Sequence, residues 1–147
     1  MSFALAVLAF SIGVLLPVQV GVNVELARHI HSPVLAALIS FLVGSICLIF
    51  SVAFLKIPFP SWVNMISLPS WLWSGGLIGA LVVLGSILAG PKIGALALVS
   101  LLLTGQLIAS IVIDHFGLLG FSIHKMDFQR FLGIILLVGG FLLIRKS

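Results

Sequence analysis

The sequence predicts an all-α integral membrane protein, and three observations predict it. Apolar residues make up 62% of the chain and charged residues 7%, with a mean hydropathy of +1.42; soluble domains carry about 25% charged residues. Apolar runs near the ~20 residues needed to cross ~30 Å of hydrocarbon recur five times, at 3–22, 34–54, 71–90, 94–113 and 128–144. The few ionic residues sit at the ends of these runs. The whole chain, 1–147, therefore reads as one transmembrane domain with nothing appended. Its formal charge of +4 comes from seven Lys and Arg against three acids, which reads as headgroup and topology charge, with no nucleic-acid footprint.

The first run has no Lys or Arg ahead of its apolar core, which argues against a cleaved secretory signal, and a bacterial inner membrane is the expected home. Pro17 removes a backbone donor within this span. Gln19 and Asn23 stand i, i+4 on one face, either as substrate contacts or as amides gluing helices together, a bond worth only about 0.6 kcal/mol. Glu25 is followed by Arg28 and His29 at i+3 and i+4, the pattern of an interfacial ion cluster, or of a guard at a cavity mouth.

Ala36, Ser40 and Gly44 repeat every four residues in the second run, and Gly75 and Gly79 do so in the third. Small residues at that spacing are read first as helix packing. Cys47 is the sole cysteine, so no disulfide framework exists, and it is expected to behave as a small buried hydrophobe. Trp62, Trp71 and Trp73 cluster before the third span like an interfacial belt, and Trp73 is also a candidate cavity wall. Gly90, Pro91 and Lys92 read as a tight hairpin between the third and fourth spans. In the fifth, Arg130 is expected to snorkel to the headgroups; Gly133 and Gly140 fit packing or a dimer contact.

Gln106, Ser110 and Asp114 are spaced i, i+4, i+8 in the fourth span and form one polar stripe on an aliphatic helix. Hydrocarbon cannot satisfy such groups, so the stripe is a candidate pathway. Partial burial of Asp114 and the near-neutral titration of His115 would suit coupling or gating; the plainer reading is a helix end reaching water. No Walker loop, HExxH helix or cysteine cluster is present, which leaves ATP-driven transport, metal sites, cofactors and enzymatic function without support.

An odd number of spans puts Lys56, Lys125 and Arg130 on one side and Arg28, Lys92, Arg145 and Lys146 on the other. Orientation follows the Lys and Arg excess, and this near-balance predicts dual topology: an antiparallel homodimer, hence an inverted-repeat transporter with its site near the two-fold. Inversion would bring Asp114 of one protomer level with Gln19 and Asn23 of its partner. A passive channel and an accessory membrane subunit are the competing classes.

Pro17, Gln19, Gly21 and Asn23; Ser32 and Pro33 leading into Ala36, Ala37, Ser40, Phe41 and Gly44; Trp71, Trp73, Gly75, Gly76 and Gly79; and Pro91, Gly94, Gly105, Gln106, Ser110 and Asp114 to Gly117 resemble the YdcZ-like family. That family comprises five-helix bacterial inner-membrane proteins of the drug/metabolite transporter superfamily. The resemblance spans essentially the whole chain. It implies a small-molecule exporter working by alternating access, related to the small multidrug-resistance proteins. Those use a first-span glutamate where this chain has Gln19, so an ionisable role would fall to Asp114 or Glu25, or proton coupling of that kind is absent. A neutral or anionic substrate is then easier to accept than a drug cation.

Overall fold

A computed structural model describes residues 2–146. The elements are α1 (Phe3–His29), α2 (Pro33–Phe54), the short α3 (Trp62–Ile66), a 3₁₀ turn (Ser70–Trp73), α4 (Ser74–Ile93), α5 (Ala95–Phe116), a second 3₁₀ turn (Leu118–Gly120) and α6 (Phe128–Lys146). Among the described residues, four helical segments are long and apolar enough to cross a membrane: Phe3–His29, Pro33–Phe54, Ser70–Ile93 and Ala95–Phe116. The apolar part of α6, Phe128–Leu143, is shorter. The chain divides into two compact units, Met1–Lys92 and Ile93–Ser147.

In the first unit, α1 runs past the expected end of the first span to His29. Nothing breaks it sooner, and Glu25 is tied to Arg28 and His29 along its last turn. Ser32 then caps α2: its hydroxyl accepts from the Leu35 N–H at 3.3 Å, and Pro33 occupies the first helical position, where its missing donor is no loss. The three-residue turn makes α1 and α2 an antiparallel packed pair. Their contact is built from Ala27, Ala36 and Ala37, joined by Ile87 of α4 and flanked by Leu26, Ile30, Val83 and Leu84. Alanines let backbones come close where bulk would hold them apart.

The α4 helix continues through Gly90 and Pro91 to Ile93, so the break expected at 90–92 falls instead at Gly94, whose φ is +83°. Proline near the helix end orphans only one carbonyl, that of Ile87, and does not stop the helix.

In the second unit, α5 packs against α6 and against the 3₁₀ turn at Leu118–Gly120. The reversal begins at Gly117, with φ +62° and its N–H donating to the Ile113 carbonyl, a left-handed helix cap. At the far end of the loop Asp127 caps α6, its Oδ1 accepting from the Arg130 N–H at 2.8 Å.

Most large apolar side chains point outward, with Ile87 and Leu98 the buried exceptions among the described residues. This is the inverse of a water-soluble interior and fits a chain whose solvent is lipid. Cys47 is exposed, which corrects the expectation that it would be buried. The side chains of Arg145 and Lys146 lie outside the described residues.

A Cβ added at Gly117 would stand 2.6 Å from Ile123 Cγ1, and the left-handed backbone alone costs a non-glycine residue about 1–2 kcal/mol. Gly117→Ala is therefore expected to destabilise the purified protein by at least that amount in denaturant titration. Adding Ile123→Ala should recover the contact part of the loss and leave the backbone part. Stability within about 0.5 kcal/mol of the parent, the range of neutral surface changes, would refute this.

Candidate functional site

Stepping along α1 from Ala27 in fours reaches Asn23 and then Gln19; stepping along α2 from Ala36 reaches Ser40 and then Gly44. Because Ala27 meets Ala36 and Ala37 in the core of the first unit, the antiparallel register carries the two rows side by side. Where they end, a recess of about 240 Å³ opens, lined by Gln19, Ser40, Phe41, Gly44, Ser45 and Leu48. Ser40 lies seven residues into α2 and Leu48 fifteen, roughly 10 and 22 Å along at 1.5 Å per residue. If α2 enters a ~30 Å hydrocarbon layer at its first turn, those residues fall near its middle.

The hydroxyls of the recess are unspent. Eight serines and threonines stand inside the long helices beyond their first residues. Five of them, Ser11, Ser51, Ser86, Ser100 and Thr104, donate to the carbonyl four residues earlier at 2.7–2.9 Å, the usual way such a group is satisfied in a helix. Ser40, Ser45 and Ser110 make no side-chain hydrogen bond among the described residues, and neither do the Gln19 and Gln106 amides. Asn23 is 5% exposed and is likewise unpartnered among them. Since no fully buried side-chain nitrogen or oxygen among the described residues lacks a partner, the Asn23 amide still reaches accessible surface.

Of the two residues expected to contact substrate on α1, Gln19 lines the recess and Asn23 lies one turn closer to the alanine core. Ser40 and Gly44, expected to serve packing, are also lining residues. A Cβ at Gly44 or Gly75 would meet nothing within 4 Å, whereas one at Gly79 would rest 3.5 Å from the Phe41 ring. Only Gly79 therefore has a neighbouring chain segment in van der Waals reach. Trp73 sits in the 3₁₀ turn before α4, 56% exposed, and is not among the residues lining the recess. Ser45, Phe41 and Leu48 were not singled out as site residues from the sequence; the signal was there, since Gly44 stands three after Phe41 and four before Leu48, and Ser45 four after Phe41 and three before Leu48.

Glu25 is exposed, with its carboxylate 3.1 Å from Arg28 Nη1 and 3.5 Å from His29 Nδ1. It is an ion cluster on the last turn of α1.

In the second unit the stripe Gln106, Ser110 and Asp114 does lie on one helix, α5; Gln106 and Ser110 are exposed and Asp114 half-buried. Asp114 has a cationic partner after all, sixteen residues on. Arg130 Nη1 stands 3.5 Å from Asp114 Oδ2 and donates to the His124 carbonyl at 3.1 Å. Arg130 thus turns back onto α5 and does not simply snorkel outward. The His124 N–H donates to the Asp114 carbonyl at 2.8 Å, and the Met126 N–H to His115 Nδ1 at 3.3 Å. Together these bonds clasp the 117–127 loop over the end of α5. Among the described residues no three His, Cys, Asp or Glu converge as metal ligands.

A family model described as "Putative inner membrane exporter, YdcZ" matches residues 4–143, nearly the full chain. The chain belongs to the YdcZ family. It is accordingly a multi-pass inner-membrane transport protein of the exporter type, consistent with its four spanning helices. No curated protein and no solved structure matches it. Within this YdcZ-family chain, polar groups meet the apolar helices at the recess and the clasp, and also at the Glu25 cluster and along Gln106 and Ser110 of α5.

Arg130→Gln is expected to release the clasp and speed amide hydrogen exchange at His124 and Met126 about fivefold, the loss of one hydrogen bond worth about 1 kcal/mol. Asp114→Asn should do less, because the Arg130 bond to the His124 carbonyl stays in place. Unchanged exchange in Arg130→Gln would show that the clasp does not hold the loop.

Proposed function

We propose that this chain exports a small molecule by alternating access as an antiparallel, dual-topology homodimer of five-span protomers, with the α1–α2 recess as the substrate site. The observation that carries the reading is the set of unspent polar groups at mid-membrane depth: Gln19, Ser40 and Ser45 around a cavity of about 240 Å³. Unsatisfied donors and acceptors are costly in hydrocarbon. A transporter has a reason to keep them, because a passing solute completes their bonds.

Two further points support the assembly. The α6 helix is 19 residues long, about 28 Å at 1.5 Å per residue, and although its apolar part is only Phe128–Leu143, it is proposed as a short fifth span. Lys and Arg are then divided three to four between the two sides, too even a split to impose one orientation. A cavity made by two helices of one protomer also needs a second wall to separate it from lipid, and an inverted partner supplies one.

Single cysteines at Asn64 and Ser122 in a Cys47→Ser background test the assembly. Both sites belong to loops on the same side of any one inserted chain. With a membrane-impermeant maleimide applied to intact cells and to inverted vesicles, each is expected to label from both faces in comparable amounts. Labelling of both sites from one face alone would rule out the antiparallel homodimer.

A further inference from the structure

We propose that the α1–α2 recess selects uncharged solutes that carry hydrogen-bonding groups, and rejects permanent ions of the same size. This rests on the recess being the transport site. Its polar groups are a primary amide and two hydroxyls, from Gln19, Ser40 and Ser45, and the rest of its lining is Phe41, Gly44 and Leu48. All of these are neutral at every physiological pH.

No counter-charge lies at hand in the first unit. The α2 helix has no ionisable side chain other than the Cys47 thiol, and α1 has none before Glu25. Glu25 is six residues from Gln19, about 9 Å along the helix, and its carboxylate is already engaged by Arg28 and His29. In α4 the sole ionisable residue is Lys92, in the last turn. In the second unit Asp114, the acid of α5, carries Arg130 as its own counter-ion, so it is not a free charge for a cationic solute.

Moving an ion from water into a low-dielectric site without a paired charge costs several kcal/mol. A neutral solute with a hydroxyl or amide pays far less, because Gln19 offers two donors and an acceptor, and each serine one donor and an acceptor. Phe41 and Leu48 give the apolar contact that such a solute also needs. The buried Asn23 amide, one turn below Gln19 and without a partner among the described residues, adds a further donor-acceptor pair next to the lining.

Probes matched in shape and differing in charge test this with the full-length protein. One set is nicotinamide, its cationic 1-methyl derivative and nicotinate; the other is 3,3-dimethylbutan-1-ol and its cationic isostere choline. Binding is read by ligand-dependent thermal stabilisation in lipid nanodiscs, and flux separately in proteoliposomes. At least one neutral member is expected to bind tenfold or more tightly than its charged counterparts. Gln19→Leu, which keeps the size and removes the amide, should weaken that member about tenfold, and Ser40→Ala with Ser45→Ala should weaken it by a similar factor.

Binding of no probe, or equal or tighter binding of the charged members, overturns the proposal, as does a neutral ligand indifferent to Gln19→Leu. Flux that favours the ions would sink the solute class while leaving the exporter reading intact. Neutral-selective binding with no flux would do the reverse.

Discussion

Hydrocarbon cannot form hydrogen bonds, and that one property of the solvent shapes every part of this molecule. It requires each spanning segment to satisfy its own backbone, so the long elements are helices. It also requires side-chain hydroxyls to find partners nearby, and most of the helix serines and Thr104 return their proton to the preceding turn. Against that background the hydroxyls of Ser40 and Ser45 and the amide of Gln19 are idle, as are those of Ser110 and Gln106 on α5, and the first three surround one cavity. The alanine contact of α1 with α2 brings them together, because its register aligns the two polar rows.

The same constraint explains the other polar end. Asp114, His115, His124 and Arg130 occupy a helix terminus and its loop, where carbonyls and amides that the helix cannot pair would otherwise be left over. The loop is folded back at Gly117 so that the His124 N–H, the Met126 N–H and the Arg130 guanidinium all find acceptors on α5 or on the loop itself. Asp114 is thereby engaged in holding structure. Its pairing with Arg130 leaves the second unit without a free carboxylate on α5, which narrows the chemistry open to a transported solute.

Much of this was legible in the residues. Composition and run length pointed to the four long apolar helices, with α6 shorter than the fifth expected span, and the i, i+4 spacing of Gln19 with Asn23 and of Ala36, Ser40 and Gly44 placed each row on its own helix face. What spacing could not show was that the two rows meet, since that depends on where the turn at Ile30–Ser32 sets the register. Gly44 invited a packing reading because packing and cavity walls both require an absent side chain; within this chain a Cβ there would meet nothing within 4 Å. Arg130 was read from its position near a span end, yet its partner lies sixteen residues back, a distance that only the turn at Gly117 closes. Proline 91 looked like a hairpin signal, but so near the helix end it interrupts little, and the chain turns at the next left-handed glycine.

All six residues around the cavity lie between Gln19 and Leu48, on two consecutive helices joined by a three-residue turn. Contacts so close in sequence form quickly and need little from the remainder of the chain. During synthesis from the amino terminus, the pair can therefore close as a helical hairpin soon after Phe54 has emerged, before α5 or α6 exists. The surface around the recess is in this sense set early, and α5 and α6 enter a bilayer that already holds it.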